Sequence, residues 1–159
     1  GWLHTGDIAE IDADGFVKIT DRKKDIIVTA GGKNIAPQNL ENDLKASKFI
    51  SQAIVVGDRR PYPAALVTLD DGEVAKWATA QGLSGDTAAL AADPRVAALV
   101  QGIVDDVNRE RSRYEQIKKF VILPRDFTME QDEVTPTLKL KRRAILKNFA
   151  DAVDGLYEP

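Results

Sequence analysis

The sequence predicts an α+β domain in which helices pack on a small mixed sheet, and three observations support this prediction. Short β-branched runs such as DIIVT and SQAIVVGD recur along the chain and are typical of strands. Between Val96 and Val107, apolar residues recur every three or four positions, as on one face of a helix. The composition, 43% apolar and 30% charged over 159 residues, is that of an ordinary globular protein large enough to bury a core.

The amino-terminal stretch predicts a β-hairpin. GFVKIT, at residues 15–20, alternates apolar and polar side chains, as a half-buried strand does. DADG, at residues 12–15, has the composition of a turn, so AEID and FVKIT are expected to pair. A second strand candidate, DIIVT, follows the charged segment DRKKD and precedes the glycine-rich loop AGGKNIAP.

The rest of the chain predicts further helices and strands. Pro37 suits the first turn of a helix that reaches about Lys48, with Leu40 and Leu44 on one face. Three further strands are expected at SQAIVVGD, AALVTLD and KFVILP. Other helices are expected over about Asp71 to Gln81 and over about Lys141 to Leu156. A further helix is expected to start at Pro94, with Asp93 as its N-cap.

Charge and composition argue against several classes of function. The net charge of -3 argues against general nucleic-acid binding, which usually requires a basic domain. The sequence contains no cysteine, so disulfides and cysteine nucleophiles are excluded. His4 is its single histidine, and a Ser-His-Asp triad within this chain would need it. No apolar run reaches the roughly 18 residues of a membrane helix.

A basic cluster lies near the carboxyl terminus, in TPTLKLKRRAIL. Its four cations are Lys139, Lys141, Arg142 and Arg143. Arg142 and Arg143 are expected to be solvated, because the apolar face of the following helix lies elsewhere. Lys139 lies outside that helix, and the flanking leucines can anchor it. It is either a surface lysine or one held to deliver charge to a phosphate or carboxylate.

Asp7 and Arg22 could contact a nucleotide. Asp7 follows a Thr-Gly pair at a strand start, where a carboxylate can accept two hydrogen bonds from a ribose diol. Arg22, on the neighbouring strand, can contact a phosphate or ribose. Taken singly, each is better explained without a nucleotide, Asp7 as part of a turn-forming Thr-Gly-Asp and Arg22 as a surface arginine.

Taken together, GWLHTGD and DRKKDIIVTAGGKNIAPQNLE resemble two motifs of the adenylate-forming superfamily, which contains acyl-CoA synthetases, peptide-synthetase adenylation domains and luciferase-like enzymes. The resemblance covers nearly the whole chain. TPTLKLKRRAIL falls where this family keeps its catalytic-lysine motif, usually P-K/R-T-x-S-G-K. This chain lacks the Ser-Gly pair, which leaves the geometry of the loop open. The TPTLKLKRR form is similar to the long-chain fatty acyl-CoA synthetase branch.

The resemblance implies a division into domains. Residues 1–21 are expected to end a large amino-terminal adenylation domain, so the first hairpin would belong to that domain. Residues 22–25 would form the hinge, with Lys24 the favoured hinge residue and Asp21 second. Residues 26–159 would form the mobile carboxyl-terminal domain. Glu41 ends the second motif and either braces the glycine loop by a salt bridge or is exposed.

The resemblance also implies two half-reactions that use ATP, Mg²⁺ and coenzyme A. Lys139 would stabilise the phosphate during acyl-adenylate formation, while Asp7 holds the ribose hydroxyls with help from Arg22. Rotation of the small domain would then bring the glycine loop to the site. The expected CoA-channel residues are Gly31, Gly32, Thr29 and Lys33. No metal ligand is expected in this chain, since the large domain binds most of the ATP, Mg²⁺ and CoA.

The expected function is therefore that of the carboxyl-terminal domain of a long-chain fatty acid–CoA ligase, inactive alone. The expected partners are fatty acid, ATP, CoA and the large domain, without nucleic acid. The expected location is cytoplasmic, with peripheral membrane association of the full-length enzyme as an alternative. An aryl-CoA ligase, a fatty acyl-AMP ligase and, from another class, a non-enzymatic interaction module are the competing interpretations.

Overall fold

The computed structural model describes residues 2–23 and 25–158, apart from the side chain of Asp21. Its strands are β1 (Asp7–Ile11), β2 (Val17–Arg22), β3 (Ile27–Val28), β4 (Asn34–Ile35), β5 (Ile50–Val56), β6 (Ala64–Leu69) and β7 (Lys119–Ile122). Its helices are α1 (Pro37–Lys45), α2 (Asp71–Ala80), α3 (Thr87–Ala91), α4 (Pro94–Arg109), α5 (Arg142–Asn148) and α6 (Ala150–Gly155). This arrangement confirms the predicted α+β class.

The predicted first hairpin is present. β1 and β2 pair antiparallel, with Asp7 opposite Arg22 and Ile11 opposite Val17. The Asp12 carboxylate closes the turn by accepting hydrogen bonds from the N–H groups of Asp14 and Phe16, at 3.0 and 2.9 Å. Six large apolar residues in this part of the chain are exposed: Trp2, Leu3, Ile11, Phe16, Val17 and Ile19. A preceding domain would cover such a surface, and the assignment of this hairpin to that domain stays a prediction.

The centre of the fold is a three-stranded mixed sheet in the order β5-β6-β7. β5 and β6 are antiparallel, and β7 pairs with β6 in parallel. Every residue of β6 is buried, because both faces of the sheet are covered. One face packs on α1, α2 and α4, and the other on α5 and the residues that end α6. The continuous apolar run AALVTL is the sequence signal of this two-sided burial.

Helix α4 agrees most closely with its prediction. The Asp93 side chain accepts a hydrogen bond from Arg95 N, Pro94 occupies the first turn, and the buried residues are Val96, Val100 and Val104. Helix α1 begins at Pro37 as predicted and ends at Lys45, before the predicted end at Lys48. The short helix α3, capped by the Asp86 side chain at Ala89 N, was not predicted.

The final predicted helix, Lys141 to Leu156, is wrong as one continuous element. It divides into α5 and α6 at Phe149, whose φ and ψ are -114° and 30°. The Phe149 ring packs edge-on against Phe127, with ring centroids 6.0 Å apart, and lies under the Arg125 guanidinium at 5.0 Å. Because these contacts come from distant residues, the periodicity of the segment could not reveal the break. No helix in the described part of the chain is long and apolar enough to cross a membrane.

Candidate functional site

Lys139 lies on a small β-hairpin, residues 133–141, which we call the lysine hairpin. Lys141 N donates to Glu133 O at 2.7 Å, Val134 and Leu140 form a β-bridge, and Thr135 N donates to Lys139 O at 2.9 Å. Lys139 N in turn donates to Thr135 Oγ1 at 3.0 Å. The residue therefore lies outside the helix, as predicted, with its backbone held on both sides. Lys139 is exposed, and no ion pair involves its ammonium group within residues 2–23 and 25–158.

The turn of the lysine hairpin shows how the loop forms without the Ser-Gly pair of the related motif. Leu138 N donates to Thr135 O at 2.8 Å, and Leu138 adopts a left-handed conformation with φ of 59°. A type I turn followed by one left-handed residue is a common three-residue hairpin loop, with glycine favoured at the last position. Leucine occupies that position here, and its side chain is 73% exposed.

Replacing Leu138 by glycine is expected to stabilise this chain slightly. A left-handed conformation costs an L-residue about 1–2 kcal/mol, whereas glycine loses about 0.5–1 kcal/mol of additional backbone entropy on folding. Leu138→Gly should therefore raise the free energy of unfolding by up to about 1 kcal/mol, measured by urea denaturation. Thr137→Gly is the matched control, because Thr137 is not among the residues with positive φ, and it should lower stability. A loss with Leu138→Gly would contradict the strained turn.

A buried carboxylate anchors the base of the lysine hairpin. Glu133 is fully buried and accepts two hydrogen bonds from the Arg125 guanidinium, at 2.7 and 2.8 Å. Asn148 Nδ2 and Thr128 N each donate to the same carboxylate at 3.0 Å. The Arg125 hydrogen bonds are the largest cause that lowers the pKa of Glu133 to about 2, against the opposing effect of burial. Glu133 is thus a fixed anion beneath the hairpin that presents Lys139.

The predicted CoA-channel residues lie together on a second hairpin, residues 27–35, which we call the glycine hairpin. β3 and β4 form its arms, and Thr29 N donates to Lys33 O at 3.0 Å. Gly32 has φ of 72°, which favours glycine, and its N–H donates to Thr29 O at 2.8 Å. A Cβ added at Gly31 would meet only Thr29 Oγ1, at 3.9 Å, so packing within this chain does not require a glycine there.

The two hairpins are connected through an ion pair at the edge of the central sheet. Glu41 Oε1 accepts a hydrogen bond from Val55 N at 2.8 Å, and Arg142 donates to Val55 O at 2.7 Å. Arg142 also donates to the Glu41 carboxylate. The two side chains thereby satisfy the polar backbone groups of Val55 on the edge strand β5.

The Glu41–Arg142 ion pair tests what the sequence predicted for each of its two residues. The expectation that Arg142 is solvated is wrong, because its guanidinium turns to β5 and is only 28% exposed, whereas Arg143 is exposed as expected. Of the alternatives for Glu41, the salt bridge is confirmed, although its partner lies beyond the lysine hairpin rather than in the glycine loop.

The predicted nucleotide-binding residues also lie side by side. Asp7 and Arg22 are cross-strand partners in the β1–β2 hairpin, with Asp7 Oδ1 and Arg22 Nε 3.9 Å apart. The Asp7 side chain is 28% exposed, so its oxygens remain reachable. This pair lies in the β1–β2 sheet, which is separate from both the glycine hairpin and the lysine hairpin. Among the described residues, no cluster of three or more His, Asp or Glu side chains could hold a metal ion.

The predicted hinge residues are only partly visible. The backbone of Asp21 lies in β2 opposite Ile8, at the irregular position of the strand pair. Lys24 lies outside the described residues.

Residues 24–159 match the family model of the AMP-binding enzyme C-terminal domain. The chain belongs to this family. The chain is 46% identical over 162 residues to a long-chain-fatty-acid–CoA ligase, FadD15, of Mycobacterium tuberculosis, with 99% of the chain and 26% of that protein covered. It is 36% identical over 176 residues to the long-chain-fatty-acid–CoA ligase ACSBG2 of Gallus gallus, and the match covers 99% of this chain and 23% of that protein. The chain thus spans about a quarter of the length of these curated relatives.

Solved structures share the fold of this AMP-binding C-terminal domain. The adenylation domain of a carboxylate reductase from Mycobacterium chelonae superposes with a TM-score of 0.77 at 24% identity, covering 96% of this chain and 22% of the other. A Mycobacterium tuberculosis fatty acyl CoA synthetase gives a TM-score of 0.57 at 25% identity, and the match covers 96% of this chain and 25% of the other.

Sequence reasoning missed three residues that shape the site of this AMP-binding C-terminal domain. Glu133 and Arg125 were not singled out, and Arg142 was assigned to solvent. The sequence carries no signal for the burial of Glu133, because this residue follows the polar pair QD and looks like part of an exposed acidic stretch. Nothing in the sequence near Arg142 pointed to Glu41 or Val55.

Proposed function

We propose that this chain is the carboxyl-terminal domain of an ATP-dependent long-chain fatty acid–CoA ligase that forms AMP. The observation that carries the proposal is Lys139, an exposed ammonium group on a hairpin whose backbone and base are both held in place. The names of the curated relatives support a long-chain fatty acid as substrate. ATP and CoA are the other substrates, and a large amino-terminal domain is the partner.

In the proposed first half-reaction, a carboxylate oxygen of the fatty acid attacks the α-phosphorus of ATP and pyrophosphate leaves. Negative charge builds up on the phosphate oxygens in the transition state, and a fixed cation there stabilises it. Lys139 supplies that cation. The Glu133–Arg125 pair keeps the hairpin base in place, so the ammonium group needs little reorganisation when the reaction occurs.

Asp7 is proposed to accept hydrogen bonds from the two ribose hydroxyls, with Arg22 beside it. Their cross-strand pairing leaves the arginine within reach of the same ribose or a phosphate. Mg²⁺ would be bound by the phosphates of ATP and would add positive charge beside them, and no residue of the described part of this chain is assigned to hold it.

In the proposed second half-reaction, residues 26–159 rotate about a hinge at residues 22–25 relative to a large domain that ends with residues 1–21. The glycine hairpin then replaces the lysine hairpin at the site. The space left open at Gly31 suits the close approach of a narrow pantetheine chain, flanked by Thr29 and Lys33. The CoA thiol attacks the acyl carbonyl, and AMP leaves.

The full-length enzyme tests the proposal directly. With a long-chain fatty acid, ATP and Mg²⁺, it should release AMP continuously only when CoA is added, with acyl-CoA formed in equal amount. An aryl acid serves as the control substrate and should react poorly. A burst of acyl-adenylate that CoA does not convert to thioester would indicate a fatty acyl-AMP ligase, and preference for the aryl acid would indicate an aryl-CoA ligase.

Lys24→Pro is expected to block the change of orientation. Proline fixes its own φ and restricts the preceding residue, which opposes the backbone rotation that a hinge needs. In the full-length enzyme, acyl-adenylate formation should persist, whereas thioester formation should fall at least about tenfold. Lys24→Ala keeps the backbone free and should preserve both rates. Normal rates in Lys24→Pro would place the hinge elsewhere.

The 159-residue chain by itself is expected to bind ATP no more tightly than about 1 mM, or roughly 4 kcal/mol. A single carboxylate and one arginine on an exposed hairpin cannot offset the entropy lost on binding. Isothermal calorimetry with Mg-ATP measures this directly, and the full-length enzyme is the positive control. Micromolar binding by the chain alone would show that it holds a complete nucleotide site.

A further inference from the structure

The glycine hairpin and the lysine hairpin have the same hydrogen-bond pattern. In each, a threonine N–H donates to the carbonyl of a lysine four residues later, at 3.0 and 2.9 Å respectively. In each, the threonine carbonyl accepts from the residue before the lysine, at 2.8 Å in both. The lysine N–H donates to the threonine Oγ1 at 3.1 Å in one and 3.0 Å in the other. The corresponding residues are Thr29 and Thr135, Gly32 and Leu138, and Lys33 and Lys139.

The two turns reach this shape from different sequences. TAGGK and TPTLK share only the threonine and the lysine. The residue before each lysine is left-handed, with φ of 72° at Gly32 and 59° at Leu138. Glycine adopts that conformation easily, whereas leucine does not. The features that the two hairpins share are therefore the ones that present a lysine: the threonine that holds its backbone and the turn that precedes it.

Both hairpins are also attached to one frame. Glu41 lies on the helix that follows the glycine hairpin, and Arg142 begins the helix that follows the lysine hairpin. These two side chains bind each other and the two polar backbone groups of Val55. The two lysines are thus carried by one rigid body, so rotation of that body can exchange one for the other at a fixed site.

Lys33 has the surroundings of a cation available to a ligand. The residue is exposed, and no ion pair involves it in the part of the chain that the structure describes. Its ammonium group lies 5.6 Å from the centroid of the Tyr114 ring, which restrains the side chain without neutralising its charge. A lysine with a fixed backbone and an unneutralised ammonium group is suited to bind phosphate as a point charge.

We propose that Lys33 binds a phosphate group of the reactants during thioester formation, in the role that Lys139 has during adenylation. The inference rests on the proposed function and assigns to Lys33 a charge role beyond lining the channel. In this step the CoA sulfur forms a bond to the acyl carbon, and the thiol proton passes to solvent. The bond between that carbon and the phosphate oxygen breaks, and AMP leaves with the electron pair. The phosphate that Lys33 binds belongs either to the adenylate or to CoA.

The test measures the second half-reaction separately in the full-length enzyme. Purified acyl-adenylate is supplied to excess enzyme, and single-turnover thioester formation is followed with saturating CoA or with pantetheine, which lacks the phosphates of CoA. Lys33→Ala is compared with Lys33→Arg, which keeps the charge, and with Lys147→Ala, which removes an exposed lysine from α5. Adenylation and the melting temperature are measured for every variant.

Lys33→Ala should lower the rate of thioester formation with CoA at least about tenfold, while adenylation and melting temperature stay unchanged. Lys33→Arg should restore most of the rate, and Lys147→Ala should match the unsubstituted enzyme. An equal loss with pantetheine identifies the adenylate phosphate as the ligand, and a loss confined to CoA identifies a CoA phosphate. An unchanged thioester step in Lys33→Ala overturns the inference, as does an equal loss in adenylation. If the unsubstituted enzyme forms no acyl-CoA, the proposed function fails instead.

Discussion

Lys139→Ala in the full-length enzyme is expected to lower the rate of acyl-adenylate formation by roughly two to three orders of magnitude, the usual cost of losing a charge partner of the transition state. The physical basis is the exposed ammonium group of Lys139, which makes no ion pair in the described part of the chain, whereas the other lysine of the hairpin, Lys141, pairs with Asp132. Pyrophosphate release in a single turnover measures the effect. Thioester formation from supplied acyl-adenylate should largely survive, since the proposed second half-reaction uses the glycine hairpin.

Lys141→Ala is the matched control for Lys139→Ala. Lys141 is two residues away on the same hairpin, but its ammonium group pairs with Asp132 at the hairpin base. An ion pair of this partly exposed kind contributes only about 0–1 kcal/mol, so the variant should fold and adenylate nearly normally. Equal damage to both half-reactions in Lys139→Ala, or a larger adenylation defect in Lys141→Ala, would count against the assignment of Lys139.

Glu133→Ala is expected to lower the free energy of unfolding of this chain by about 3 kcal/mol, which is a large part of the 5–15 kcal/mol of a typical domain. The substitution leaves Arg125 without its bidentate partner and leaves Thr128 N and Asn148 Nδ2 without their acceptor. Urea denaturation measures the loss. Glu73→Ala, which removes a carboxylate from solvent-screened pairs with Lys48 and Lys76, should cost far less than Glu133→Ala.

The pH dependence of stability gives an independent check on Glu133. The pKa of Glu133 is lowered to about 2 in the folded chain, from the value of 4.5 for an unperturbed glutamate. Folding therefore favours the ionised form of this carboxyl group. The stabilisation is complete above the unfolded pKa and is lost as the pH falls from about 4.5 towards 2, with a total near 3 kcal/mol. The stability difference between the unsubstituted chain and Glu133→Gln should therefore shrink over that interval. A constant difference would show that the carboxylate charge contributes nothing.

Much of the candidate site could be predicted because its signals are local. The turn residues DADG, the glycines of the glycine hairpin and the Asp93–Pro94 cap act within a few residues, so the sequence displays them directly. Lys139 could be proposed as the lysine of the motif despite the missing glycine, because the residues around it resemble that motif. The shape of its turn could not, because a left-handed leucine contradicts the ordinary preference of that residue.

The sequence by itself determined the α+β class, the adenylate-forming family and the two lysines that the hairpins present. Only the tertiary structure decided how those hairpins are held. Arg142 reaches Val55 and Glu41 across 87 and 101 residues of chain, and such pairings have no signature in either neighbourhood. The division of the last helix at Phe149 likewise depends on Phe127 and Arg125. In both cases the partners meet only in the folded chain. The polar backbone groups of Val55 on the edge strand must be satisfied by a side chain that lies close in space, and the Phe149 ring packs on side chains from another part of the chain.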